Sequence, residues 1–274
     1  MKNAVVAILL ALVCLWVQAQ EVVWLPATAI GAANIRTLSI NNSIETMQPA
    51  QAAETKSFAA VVGYTMPYSL SELGESHLRG AANICNTFCL TLDVGRHGDQ
   101  ASSITNIGGG ASKRWRYFSI GMEYYAVIHT LADNQKFTSS YSRFGFILTP
   151  NSEWRLSVCI NNVEHRKIDY GGALFDIDQI AAVGAKWQPS ERFSVMAEVE
   201  KNFNFDDPAG KMAVVLYPVE RLQLSAGFCS QGRTPTVGVG YGIRMVSLNV
   251  GFSYHQQLGS TTGALITIKP WNVD

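Results

Sequence analysis

"MVSLNVGFSYHQQLG", residues 245–259, alternates without a break over ten positions. Val246, Leu248, Val250, Phe252 and Tyr254 fall on one face, and Ser247, Asn249, Gly251, Ser253 and His255 on the other. Successive side chains of an extended chain point to opposite sides, so a period of two means a strand with one apolar and one polar face. The fold turns on what the apolar face touches, a protein core or lipid. "WRLSVCIN" (154–161), "LQLSAGFC" (222–229), "YFSIGMEY" (117–124) and "TVGVGYGI" (236–243) repeat the pattern.

Composition favours lipid. Of 274 residues, 47% are hydrophobic and only 15% charged, against about 25% charged in soluble domains. A soluble sandwich needs charge outside, whereas a membrane barrel needs an apolar outside and a polar inside. The net charge is zero, so no electrostatic footprint for nucleic acid is present. The chain opens with Met1-Lys2-Asn3, an apolar run "AVVAILLALVCLWV" and small residues in "VQA". This reads as a signal peptide over 1–19, cut after Ala19. No later stretch has the ~20 apolar residues of a membrane helix.

Residues 20–56 lack strand periodicity and carry "INNS" and the helix-prone "PAQAAE". They read as a short N-terminal plug-like segment, with 57–274 as the barrel. Strands are expected near 57–68, 81–95, 116–129, 136–149, 153–167, 178–188, 192–203, 211–219, 221–230, 235–245, 246–256 and 261–269. The expectation is an all-β transmembrane antiparallel barrel of about 12, up to 14, strands, each near the ~9–11 residues a membrane strand needs. "ASSITNIGGGASKRW" (101–115) breaks the pattern and reads as a bend or lumenal excursion. Looser connections are expected at 69–79, 130–135, 168–177 and 204–210. Aromatics near strand ends suggest interfacial girdles: Tyr64, Tyr68, Trp115, Tyr117, Trp154, Trp187, Phe193, Tyr217 and Trp271.

Cys85 and Cys89 share one expected strand, where four residues span ~13 Å. That exceeds the ~7 Å limit between Cα atoms of a disulfide, so they do not pair unless the chain bends. Cys159 and Cys229 fall on the polar phase of their strands.

Several stretches resemble one family. "IGAANIRTLSINNSIETMQPAQAAE", "FAAVVGYTMPYSLSEL", "AAVGAKWQPSERFSVMAEVEKNF" and "LQLSAGFCSQGRTPTVGVGYGIRMVSLNVGFSYHQQLGSTTGALITI" are similar to the PorV/PorQ group of Bacteroidetes outer-membrane proteins. That group is itself similar to the FadL long-chain fatty-acid transporters. Gln48-Pro49-Ala50 stands where the family carries Asn-Pro-Ala, with Gln48 replacing the Asn and Gln51 the following Gly. The resemblance implies outer-membrane localisation and a role in type IX secretion, with secreted proteins or secretion-machinery subunits as partners beside the membrane lipid. The link to FadL implies an alternative, a channel for hydrophobic small molecules gated by the plug and its Gln48, Pro49 and Ala50. A structural barrel without transport is the third reading.

The polar phase supplies candidate lumen-lining residues: Glu123, Arg143, Arg155, Lys186, Glu198, Glu200, Arg244 and His255. Mixed signs on facing strands suggest ion-paired rungs across a narrow interior. No cofactor or metal site is expected, because a C-x3-C without nearby ligands is a poor zinc pattern. Ser253 and His255 share a face, but no histidine lies in a stretch resembling the His–Ser motif of the outer-membrane phospholipase, and the chain reads as a non-enzyme.

Overall fold

The computed structural model describes residues 25–41, 44–85, 87–171, 174–205 and 207–269. The expected signal peptide and Trp271 lie outside them. Fourteen strands close into one antiparallel barrel. In chain order these are β1 (Phe58–Met66), β2 (Glu75–Cys85), β3 (Phe88–Gly98), β4 (Ser102–Arg114), β5 (Phe118–Leu131), β6 (Lys136–Leu148) and β7 (Trp154–Asn161). After an extramembrane hairpin of β8 (Lys167–Asp169) and β9 (Leu174–Asp176) come β10 (Ile180–Ser190), β11 (Phe193–Asn202) and β12 (Ala209–Val219). The last four are β13 (Leu222–Cys229), β14 (Thr234–Ile243), β15 (Val246–His255) and β16 (Gly259–Ile268). β1 pairs with β16 from Ala60↔Ile268 to Met66↔Thr262, which closes the sheet and leaves no free edge. Among the described residues no helix is long and apolar enough to cross a membrane.

The apolar face of β15 points outward. Leu248 and Val250 are each 50% exposed, while Asn249 between them is 2% exposed. The same holds around the barrel, with Leu92, Met122, Val183, Val199, Met212, Val237 and Ile266 all outside. Such a belt is stable only against hydrocarbon. Connections at one end are short, as at 191–192, 220–221 and 244–245; at the other they reach 162–179. Short turns mark the periplasmic side. Trp115 stacks on Phe118 (4.9 Å) and Trp154 on Trp187 (6.2 Å) at that end, forming part of an interfacial girdle. Tyr217 departs from the expected girdle, because its hydroxyl turns inward to Ile40 O at 3.3 Å.

Two strands beyond the twelve ranges come from one region. The span 81–95 is not a single strand: β2 and β3 run antiparallel, with Asn83 opposite Cys89 and Cys85 opposite Phe88. Cys85 and Cys89 are therefore on adjacent strands. All four described cysteines are free thiols, Cys85 exposed and the others buried. The stretch 101–115 is not an excursion but β4. Its Gly108 sits beneath the Tyr125 ring, whose carbons lie 2.4–2.8 Å from where a Cβ would be, and Gly110 has the same relation to Glu123. The glycines give clearance for large inward side chains of β5.

Residues 25–41 and 44–56 run inside the barrel. α1 (Ala27–Ile30) packs on β14, β15 and β16, and a 3-10 helix (Pro49–Glu54) packs on β3 to β6. Wall glycines admit this backbone closely: Cβ atoms at Gly121 or Gly251 would fall 2.4 Å from Pro49 C or 2.1 Å from Ala27 O.

Candidate functional site

The inner face of the wall is polar, and the inner segment is hung on it by two ionic clusters. The first lies on β11 and β12. Register places Glu198 opposite Lys211, and Lys211 Nζ reaches Glu198 Oε1 at 2.9 Å and Glu200 Oε2 at 2.7 Å. Arg36 from the inner segment meets Glu200 at 3.3 Å. Glu198 Oε2 also accepts hydrogen bonds from Arg36 N, Thr37 N and Thr37 Oγ1 at 2.9, 2.8 and 2.7 Å. A buried carboxylate is tolerated only with such full pairing.

The second cluster spans β2 to β6. Arg79 bridges Asp93 (3.4 Å) and Glu123, and Arg143 lies 3.5 Å from Glu123. His77 Nε2 is 2.7 Å from Asp93 Oδ1. Arg143 Nη1 donates to Tyr125 OH at 3.1 Å, and that hydroxyl lies within hydrogen-bond reach of Asp93 and Glu123. Tyr125 stacks on Tyr141 at 5.0 Å. The two arginines donate to Thr46 O (3.1 Å) and Met47 O (3.4 Å) of the inner segment. The cavity left between this cluster and Thr46–Met47 holds about 30 Å³, room for about one water.

Further anchors use the same logic. Gln48 Nε2 donates to Ser157 Oγ at 2.5 Å and Val158 O at 2.9 Å. Arg155 pairs with Glu54 at 2.5 Å, and Lys186 donates to Ile40 O at 2.7 Å. Glu123, Arg143, Lys186, Glu198 and Glu200 are thus buried on the inner wall, each against the inner segment or its neighbours. Two candidates lie elsewhere. Arg244 is exposed in the β14–β15 turn, one residue past the strand where its phase would have aimed it inward. His255 ends β15 at the long-loop rim, its ring 6.2 Å from that of Tyr68. His77, Arg79 and Asp93 were not among the candidates: 69–79 reads as a loop, and Arg79 and Asp93 become partners only once 81–95 is split into two strands.

The long-loop end is covered by 162–171 and 174–179. Ile168 and Ile177 join a buried cluster with Ile104, Tyr125, Val127 and Tyr141. Asn161 and Asn162 fasten this loop by donating to Asp178 O and Ile177 O, both at 2.8 Å. On the membrane face, by contrast, an open apolar groove of about 910 Å³ runs over β6 to β13, lined by Phe146, Leu156, Val183, Val199, Met212 and Phe228.

No family model matches the chain, and no curated protein does. Solved structures do. The toluene transporter TbuX of Ralstonia pickettii superposes with a TM-score of 0.67 at 10% identity, covering 90% of this chain and 98% of that one. The toluene transporter TodX of Pseudomonas putida gives 0.66 at 10%, covering 91% and 98%. The fold is that of an outer-membrane β-barrel. A Pseudomonas aeruginosa FadL homologue gives 0.55 at 13%, again covering 91% and 98%. The neighbours named here are transporters or a FadL homologue; none is a secretion subunit. With the outward apolar belt, this fold locates the chain in the outer membrane.

Proposed function

We propose that the chain is an outer-membrane channel for small hydrophobic molecules, held shut at rest by residues 25–56 acting as a plug. The observation that carries this reading is the filled lumen: the space left beside the β2–β6 cluster is only about 30 Å³. The inner segment rests in it on side-chain anchors rather than in a strand ladder, so it can leave without opening the sheet. The apolar groove on the membrane face offers hydrophobic compounds a place to partition next to the barrel, and toluene is what the named neighbours TbuX and TodX carry. The secretion role implied by the PorV/PorQ resemblance has no counterpart among these neighbours.

A tether tests the proposal. A Cβ at Gly227 would lie 2.9 Å from that of Ala33, about 1 Å inside disulfide spacing, so after a small outward shift of the inner segment Ala33→Cys with Gly227→Cys, in a chain stripped of its own cysteines, joins plug to wall. Cells carrying the untethered protein are expected to take up radiolabelled toluene faster than cells without it. The tether should abolish the gain and a reductant restore it. Equal uptake with and without the protein, or uptake indifferent to the tether, would overturn the proposal.

A further inference from the structure

A second cavity, of about 190 Å³, opens at the periplasmic mouth under β12 to β15. Its charged lining is Arg221, Arg244, Lys269 and Glu220. The cations come from three separate places: the β12–β13 turn, the β14–β15 turn and the end of β16. Backbone bonds set these side by side, Gly242 N to Arg221 O and Lys269 N to Met245 O, both 2.9 Å. None of the four charged groups has an ion pair among the described residues.

Two further observations point to a ligand. Asn249, 2% exposed, lines the same cavity, and its Nδ2 has no hydrogen-bond partner among the described residues. This buried donor faces the cavity, where a bound group would supply its acceptor. Arg244 also holds a φ of +50° in a two-residue turn, a conformation that Gly or Asn adopts more readily. The charge sum, three cations less one carboxylate, is +2. The donors outnumber what one carboxylate accepts and suit a tetrahedral oxyanion.

We propose that this mouth binds a phosphate group. Tyr241, Met245 and Val246 are exposed on the outer side of the same turns, at the height where lipid headgroups meet the barrel. The phosphate therefore has two sources, a phospholipid headgroup or a free phosphate in the periplasm. The site does not depend on what the lumen carries.

The test uses the whole mature barrel, with a heat-shift gel to establish folding of each variant. Inorganic phosphate is titrated into the detergent-solubilised protein by calorimetry, with chloride as control. In parallel, the protein is placed in nanodiscs of phosphatidylcholine with or without phosphatidylglycerol, and lipid retention is read by native mass spectrometry. Asn249→Asp replaces the donor by a like-shaped anion, and Arg244→Gln with Lys269→Gln alters only exposed groups. Wild type should bind phosphate over chloride, or keep one phosphatidylglycerol, and both variants should weaken this at least tenfold. Phosphate binding alone assigns the free oxyanion, and phosphatidylglycerol retention alone assigns the headgroup. Binding of neither probe, or equal binding by the surface variant, would overturn the site.

Discussion

Glu198 and Thr37 are joined twice, since one carboxylate oxygen of Glu198 accepts both the backbone N–H of Thr37 (2.8 Å) and its hydroxyl (2.7 Å). The other oxygen holds Lys211. Wall and inner segment thus share one buried acid. Glu198→Ala removes the anchor and leaves Lys211 to Glu200 and the Asn34 carbonyl. Breaking a buried pair costs about 3–5 kcal/mol, and here the remaining Glu200 contact puts the loss near the lower end. Planar-bilayer recordings should show frequent openings in this variant and rare ones in wild type. A conductance unchanged by the substitution would mean that the inner segment is held elsewhere.

Gly121→Ala tests the close fit from the opposite wall. The added methyl would meet Pro49 C and Ala50 N at 2.4 and 2.5 Å, and backbone cannot rotate away as a side chain can. Overpacking of this kind costs about 1–3 kcal/mol. Protease added to the open variant should cut near residues 49–50, while the barrel keeps its heat-shifted gel band. Protection equal to wild type would argue that the inner segment is looser than it looks.

The belt makes a depth-dependent prediction. Val250 lies mid-strand on the outer face of β15 and Val246 at its periplasmic end. Val250→Arg should destabilise the barrel by about 2–4 kcal/mol and Val246→Arg by about 0–1 kcal/mol. Denaturant unfolding in lipid vesicles measures both, and equal losses would contradict the assigned membrane position.

Loop 162–179 should respond to acid. Burial works against ionisation of Glu164, but hydrogen bonds from Ser142 Oγ and from Ser142 N (2.9 Å) outweigh it and hold the carboxyl below the ordinary carboxylate value. A lowered folded-state pKa means that this anchoring is complete above the ordinary pKa. It is lost as pH falls through the lowered value. Hydrogen exchange of residues 162–170, corrected for intrinsic rate, should quicken in that acid range in wild type. Glu164→Gln should flatten the response.

Of the four described cysteines only Cys85 is exposed. A membrane-impermeant maleimide applied from the periplasmic side should modify, among the described cysteines, Cys85 alone in the folded barrel, and Cys89, Cys159 and Cys229 as well after denaturation. More than one addition to the folded state would contradict the inward placement of Cys89, Cys159 or Cys229.

The lipid-facing half of the fold is legible because its rule is local: Leu248, Val250 and Phe252 announce a strand by alternation alone. What was illegible depends on partners across the lumen. Gly108 and Gly110 look like a bend until Tyr125 and Glu123 are known to stand over them. Cys85 and Cys89 look like one strand, because no glycine or proline between them announces that β2 ends and β3 begins. The same unmarked boundary hides Arg79 and Asp93, whose pairing exists only once β2 and β3 lie side by side. Glu198 is legible as a polar-phase residue, yet its hold on Arg36 and Thr37 joins segments that no local pattern relates.

The seating of α1 on the last strands also constrains how the molecule assembles. Ala33 N donates to Thr236 Oγ1 across 203 residues of chain, and Ala27 lies against Gly251 and Gly263. The segment that precedes β1 therefore docks on the last strands, and β1 cannot meet β16 until those strands exist. Contacts so distant in sequence form slowly, because a long loop must close before they contribute. Until then the N-terminal segment has only half its sockets, so sealing of the wall and loading of its contents become one terminal, cooperative event.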